Sequence, residues 1–242
     1  MKRGIRKSMV LNKEKLIFIH IPKTGGISIE EYLQSYYGYV RNALILNHGY
    51  GIYRDKYNNK FTIYPHMHFP LIELERELYK NNIIVDNSWT IFSIVRNPYN
   101  KFLSALFYSD KVDLKYHYFT LPEKQRSYCL NHYIDKFINL DINDNYISNH
   151  IAPQHLFFRE TSLNYKIFKF EDGLENALIN LGFDAKDKLG HHLNTFQLMG
   201  VPRINYKEIY TRRLIEVVNN LFEYDFEMFN YKMLSPLDYS LI

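Results

Sequence analysis

The sequence predicts an α/β protein of three layers, with a central parallel sheet between two layers of helices. Two repeated patterns carry that expectation. Lys15 to Ile21 (KLIFIHI) is a short apolar run rich in Ile that breaks into Pro22, Lys23, Thr24, Gly25 and Gly26, as a buried strand does on entering a tight turn. Beyond the glycines, Ile29, Tyr32 and Leu33 recur at helical spacing, so the order is strand, glycine turn, helix. Trp89 to Val95 (WTIFSIV) repeats the unit, with Arg96, Asn97 and Pro98 at the turn and Phe102, Leu103, Leu106 and Phe107 on the buried helix side. Asn97 suits the N-cap and Pro98 the first helical position.

Between these units fall a strand, Phe61 to His66, and a helix from about Pro70 to Lys80; later come a strand Tyr165 to Phe170 and a helix Leu174 to Leu181. Alternation of this kind indicates a parallel sheet covered on both faces. Thr120 to Leu156 reads as mainly helical, and Lys207 to Phe222 as an amphipathic helix. No repeat or Pro/Gly/Ser linker divides the chain. The expectation is a single domain over 1–242, with 1–14 as a flexible N-terminal segment.

With 242 residues, 46% of them hydrophobic, the chain has ample material for a packed core, which excludes disorder as its main state. Lys and Arg number 30 against 26 Asp and Glu, a net charge of +4. That is too mild for a dedicated nucleic-acid binder and compatible with a small anionic ligand. Nor is any basic run interleaved with aromatics in a base-stacking platform. Cys129 is the one cysteine, so no intrachain disulfide or paired-Cys zinc site is available. The basic N-terminus lacks the apolar core of a signal peptide, and no apolar run approaches the ~18 residues of a membrane span. These features set the expectation of a cytoplasmic protein without a transmembrane segment.

Pro22 to Ser28 (PKTGGIS) carries the first chemical signal. Backbone N–H groups freed at Gly25 and Gly26, the positive end of the following helix and the charge of Lys23 make a pocket for a phosphate. Lys-Thr precedes the glycines here, whereas the loop of nucleoside triphosphatases ends in Gly-Lys-Ser/Thr. A plain strand-to-helix turn would need fewer of these residues. The second signal is VRNPYNKFLSAL, with Arg96 at a strand end and Ser104 eight residues on. Adjacent strand ends in a parallel sheet would let Arg96 and Ser104 hold a second phosphate of the same ligand. The alternative is that Arg96 pairs with an acid and Ser104 is an ordinary helix residue.

These two motifs resemble those of the sulfotransferases that use 3′-phosphoadenosine 5′-phosphosulfate (PAPS), especially the carbohydrate O-sulfotransferase branch. The resemblance implies the P-loop-NTPase-like sulfotransferase fold. It also implies that Lys23, Thr24, Gly25, Gly26, Ile27 and Ser28 bind the 5′-phosphosulfate, and that Arg96 and Ser104 bind the 3′-phosphate. It extends more loosely through NHIAPQ (Asn149 to Gln154) and FKFEDGLENAL (Phe168 to Leu178). Ile27 departs from the pattern, since many relatives carry a hydroxyl there.

PHMHFP, Pro65 to Pro70, follows the strand between the motifs. If extended, it turns His66 and His68 to the same side. Imidazole suits proton abstraction near neutral pH, although two loop histidines, or a metal site lacking a persuasive third ligand, fit the same pattern. The arrangement looks like the His-x-His of heparan sulfate and uronyl 2-O-sulfotransferases, which implies His68 as base and His66 as its neighbour. Of the remaining candidates, His191 and His192 fall where relatives close a loop over the cofactor, and equally suit an exposed turn. Arg212 and Arg213 read as solvated helix residues, and Glu171 and Asp172 as the acidic start of the helix at Leu174.

The expected activity is therefore transfer of a sulfuryl group from PAPS to a hydroxyl of a carbohydrate or glycoconjugate, by in-line displacement and without a metal, leaving 3′-phosphoadenosine 5′-phosphate (PAP). A nucleotide or nucleoside kinase with an irregular phosphate loop, and a non-catalytic nucleotide- or glycan-binding protein, are the competing readings.

Overall fold

The computed structural model describes residues 9–37, 68–108, 118–139, 150–189 and 209–238, together with the backbone of 51–54 and 60–63. Its main sheet has four strands: β1 (Met9–Leu11), β2 (Leu16–Ile19), β5 (Thr90–Val95) and β6 (Lys166–Lys169), in the order β1-β2-β5-β6. β2, β5 and β6 run parallel, with Ile19 beside Ser93 and Val95 beside Lys169. β1 pairs antiparallel to β2. Met9–Leu11 thus belongs to the sheet rather than to a flexible N-terminal segment, because Val10 and Leu11, 1% and 2% exposed, bury against its opposite faces.

The alternation of side chains decides what each face carries. Leu16, Phe18, Phe92 and Ile94 pack with α1 (Gly26–Tyr37) and α5 (Leu174–Asn180). Ile17, Ile19, Ile91 and Val95 face a larger cluster built from α2 (Leu71–Lys80), α3 (Pro98–Tyr108), α4 (Glu123–Asn139), α6 (Arg212–Leu221) and α7 (Glu223–Met228). Each fully buried Ile or Phe contributes about 1.5–3 kcal/mol, so the paired strands form a firm platform whose carboxyl ends carry the turns. The expected three layers are present.

One strand departs from expectation. The run read as Phe61 to His66 is β4 (Lys60–Ile63), and it pairs antiparallel with β3 (Gly51–Arg54) in a separate two-stranded sheet. The turn signal Asn58-Asn59 lies between these strands in sequence, as befits a hairpin rather than a crossover to a parallel neighbour. The helix expected over 207–222 begins at Arg212, where Thr211 Oγ1 accepts from Leu214 N at 3.1 Å as N-cap. Among the described residues no helix is long and apolar enough to cross a membrane.

Candidate functional site

The turn after β2 is shaped by two unusual backbone positions. Lys23 has φ 67° and Gly25 φ 85°, the left-handed region that glycine adopts without strain and lysine does not. Thr24, fully buried, steadies the turn by donating from Oγ1 to Ile21 O at 2.9 Å. Space forbids a side chain at either glycine. A Cβ on Gly25 would fall 2.9 Å from Leu174 Cδ1 and 3.0 Å from Phe170 Cε2; one on Gly26 would fall 2.1 Å from His20 Cδ2. Among the described residues, the N–H groups of Thr24 to Ile27 have no backbone acceptor. The first turn of α1 contains no acidic residue. The turn therefore presents unspent donors and the positive end of a helix, the elements of an anion cradle. Ile27 is 39% exposed and Ser28 half-buried.

Arg96 reaches this turn from the tip of β5. Its Nη1 donates to the carbonyl oxygen of Lys23 at 3.1 Å, and its guanidinium lies over the Phe170 ring, 4.5 Å from the centroid. Its backbone is clamped on both sides by the fully buried Gln154, which accepts from Arg96 N and donates to Arg96 O, each at 2.8 Å. Asp225, also fully buried, in turn accepts from the N–H groups of Gln154 and His155 and from His155 Nδ1. Asn97 caps α3 as expected, accepting from Tyr99 N at 3.1 Å.

Along α3, Lys101, Ser104 and Tyr108 fall at spacings of three and four residues, which puts them on one face. Ser104 is buried, and the Tyr108 ring carries Lys23 Nζ 3.6 Å from its centroid. Lys101 is fully buried and donates to His150 O at 3.0 Å and Ala152 O at 2.9 Å. Burial, with Arg96 and Lys101 nearby, lowers the Lys23 ammonium to about 7. Lys101 is also lowered to about 7, by burial and by Arg96, with Asp225 opposing. Arg96 thus disfavours the charged form of both lysines, and an anion placed beside Lys23 would offset that repulsion.

His68 lies beside this cluster. Its Nδ1 donates to the carbonyl oxygen of His20 at 2.8 Å, which leaves Nε2 as the unprotonated nitrogen, without a protein partner among the described residues. Its ring meets those of His20 at 4.6 Å and His150 at 6.4 Å, and His150 in turn meets Tyr108 at 5.5 Å. Burial, followed by the charges of His20, His150 and Lys101, pushes the His68 imidazole well below its ordinary range, the hydrogen bond to His20 opposing. His68 is thus held neutral, a fixed tautomer with one lone pair to offer.

The structure therefore brings Lys23, Thr24, Gly25, Gly26, Arg96, Ser104 and His68 into one region. His66, His191 and His192 lie outside the described residues. Glu171 does not serve as the acidic start of α5: it accepts from Asn97 N and from Tyr231 OH, each at 2.8 Å, and Gly173, with φ 92°, separates it from the helix. Nor is Arg213 merely solvated, because it bridges α6 to Asp135 of α4 at 2.6 Å. Sequence reasoning passed over His20, Lys101, Tyr108 and Gln154. A histidine inside an apolar strand, and polar residues repeating at the spacing of Ser104 on a buried helix, were the available signals.

A glycine-shaped turn at the carboxyl ends of adjacent parallel strands, faced by an arginine fork and a neutral imidazole, has the make-up of a group-transfer site. The sulfotransferase family matches the chain over residues 6–232, and the chain belongs to that family: it is a transferase of sulfuryl groups. No curated protein and no solved structure matches it.

Proposed function

We propose that this sulfotransferase moves a sulfuryl group from PAPS to a hydroxyl of a carbohydrate or glycoconjugate, within one domain spanning the chain. The observation that carries the reading is the 3.1 Å bond between Arg96 Nη1 and Lys23 O. It joins two strand tips whose charges suit a nucleotide with phosphate at both ends of its adenosine. The residues fit such a group: Gly25 and Gly26 leave the loop backbone open to close approach, and Lys23, whose ammonium is lowered by burial and by Arg96 and Lys101, regains its charged form beside a phosphate.

In this reading Lys23, Thr24, Gly25, Gly26, Ile27 and Ser28 would hold the 5′-phosphosulfate, Ile27 through its backbone alone, while Arg96 and Ser104 would hold the 3′-phosphate. When bound, PAPS supplies a sulfuryl group already activated by its link to phosphate. Lys23 and the loop N–H groups stabilise charge developing on the leaving oxygen, the compensation a metal ion would otherwise give. His68 takes the acceptor's hydroxyl proton at Nε2, with His66 assisting; its Nδ1–H, tied to His20 O, keeps the ring oriented as it becomes charged.

The test is incubation with radiolabelled PAPS and fractionated glycans. Label should enter a glycan fraction as PAP accumulates. Bound PAPS with no labelled acceptor would instead favour a binding protein, and phosphate transfer from ATP–Mg a kinase.

A further inference from the structure

Behind the loop lies a buried pair that the proposed chemistry does not use. His20 follows β2 directly and is 5% exposed; Glu30, in the second turn of α1, is 3% exposed. Their side chains meet at 2.8 Å, His20 Nδ1 against Glu30 Oε1. A carboxylate withdrawn from water is costly without a partner, and this contact keeps the His20 ring from turning.

Both sides of that ring are occupied. Its Nε2–Cδ2 edge fills the space a Gly26 side chain would take, 2.3 and 2.1 Å from the Cβ position. The ring meets His68 edge-on at 4.6 Å, and the His20 carbonyl accepts His68 Nδ1–H at 2.8 Å. One residue thus touches the anion loop and the imidazole that faces it.

We infer that His20, locked by Glu30, is a positioning residue that sets His68 relative to the Gly25-Gly26 loop. The inference rests on the reading of His68 as the base. A displacement of about 1 Å at a reacting group costs on the order of 10²-fold, which is the scale on which such a residue acts. The groups facing His68 are His20, His150 and Lys101, each a cation when protonated, so removing His20 lifts one source of repulsion from the charged form.

The experiment compares E30A, E30Q and H20N with the wild type. In H20N the amide nitrogen replaces Nδ1 as donor to Glu30 while the rest of the ring is lost. E30A and H20N should lower kcat by about 10- to 100-fold with unchanged affinity for PAP, and E30Q, which keeps an acceptor oxygen, should restore most of the loss in E30A. In nitrogen-15 histidine spectra of the resting protein, His68 should titrate at higher pH in H20N than in the wild type. Loss of thermal stability alone, with wild-type kcat per folded molecule and an unmoved His68 titration, would overturn the inference. The spectra need no substrate: if the wild type transfers nothing from PAPS, the functional reading fails, while the His68 titration in H20N still decides whether His20 sets His68. Should E30A not fold, H20N and E30Q decide it.

Discussion

Arg96 Nη1 and the Lys23 carbonyl oxygen, 73 residues apart in sequence, share a 3.1 Å hydrogen bond. The bond is possible because β2 and β5 are parallel neighbours and both turns leave the same edge of the sheet. Parallel pairing of this kind places ligand sites at strand carboxyl ends, and here it sets an arginine fork against the loop that carries Lys23.

Gln154 holds that fork in place, so Q154A should loosen it. Two hydrogen bonds to the Arg96 backbone disappear, and unsatisfied backbone groups at such a position cost about 1–3 kcal/mol each. Urea unfolding should show a loss of about 2–6 kcal/mol with weaker binding of PAP. An unchanged unfolding midpoint would refute the clamp.

Both halves of this arrangement left different traces in the sequence. The two strand-turn-helix units were legible because apolar runs of Ile and Phe end abruptly in Lys23-Thr24-Gly25-Gly26 and Arg96-Asn97-Pro98, and burial follows the same periodicity. β1 was hidden by its length, three residues, and β4 by the fact that a strand pattern does not say which neighbour it pairs with. Lys101 and Gln154 were illegible because their burial depends on long-range partners: the carbonyl oxygens of His150 and Ala152 for one, the Arg96 backbone for the other. Local pattern carries no information about such pairings.

Donor affinity should depend on pH through Lys23. Its ammonium is lowered from 10.5 to about 7 in the resting protein, and a bound phosphate favours the charged form. Binding therefore takes up a proton above about pH 7 and none well below it. Calorimetric titration with PAP should show affinity falling as pH rises beyond that point, with proton uptake visible across buffers of different ionisation enthalpy. Affinity independent of pH from 6 to about 9 would contradict a lowered Lys23.

H68A should retain PAP binding and lose turnover by ~10²- to 10⁴-fold, the usual cost of removing a positioned general base. Because His68 is depressed, the wild-type kcat/KM for acceptor should already stand on its plateau at the ordinary histidine range and fall only at lower pH. An acid limb centred at or above that range would argue against this imidazole.

Gly26 and Gly25 should fail differently. G26A drives a methyl into the His20 ring, and overpacking of this kind costs about 1–3 kcal/mol; the ring's displacement should also lower kcat. G25A meets Leu174 and Phe170 in a left-handed conformation, so it should weaken PAP binding first. Thermal melts paired with PAP titrations separate the two, and a tolerant G26A would disprove the close packing of His20.

The most direct test titrates the wild type and R96A with PAP, adenosine 5′-phosphate and ATP–Mg. A donor spanning both strand tips predicts that the wild type prefers PAP over adenosine 5′-phosphate and that R96A abolishes the preference while still binding the monophosphate. Equal affinity for the two nucleotides, or tighter binding of ATP–Mg, would contradict the account.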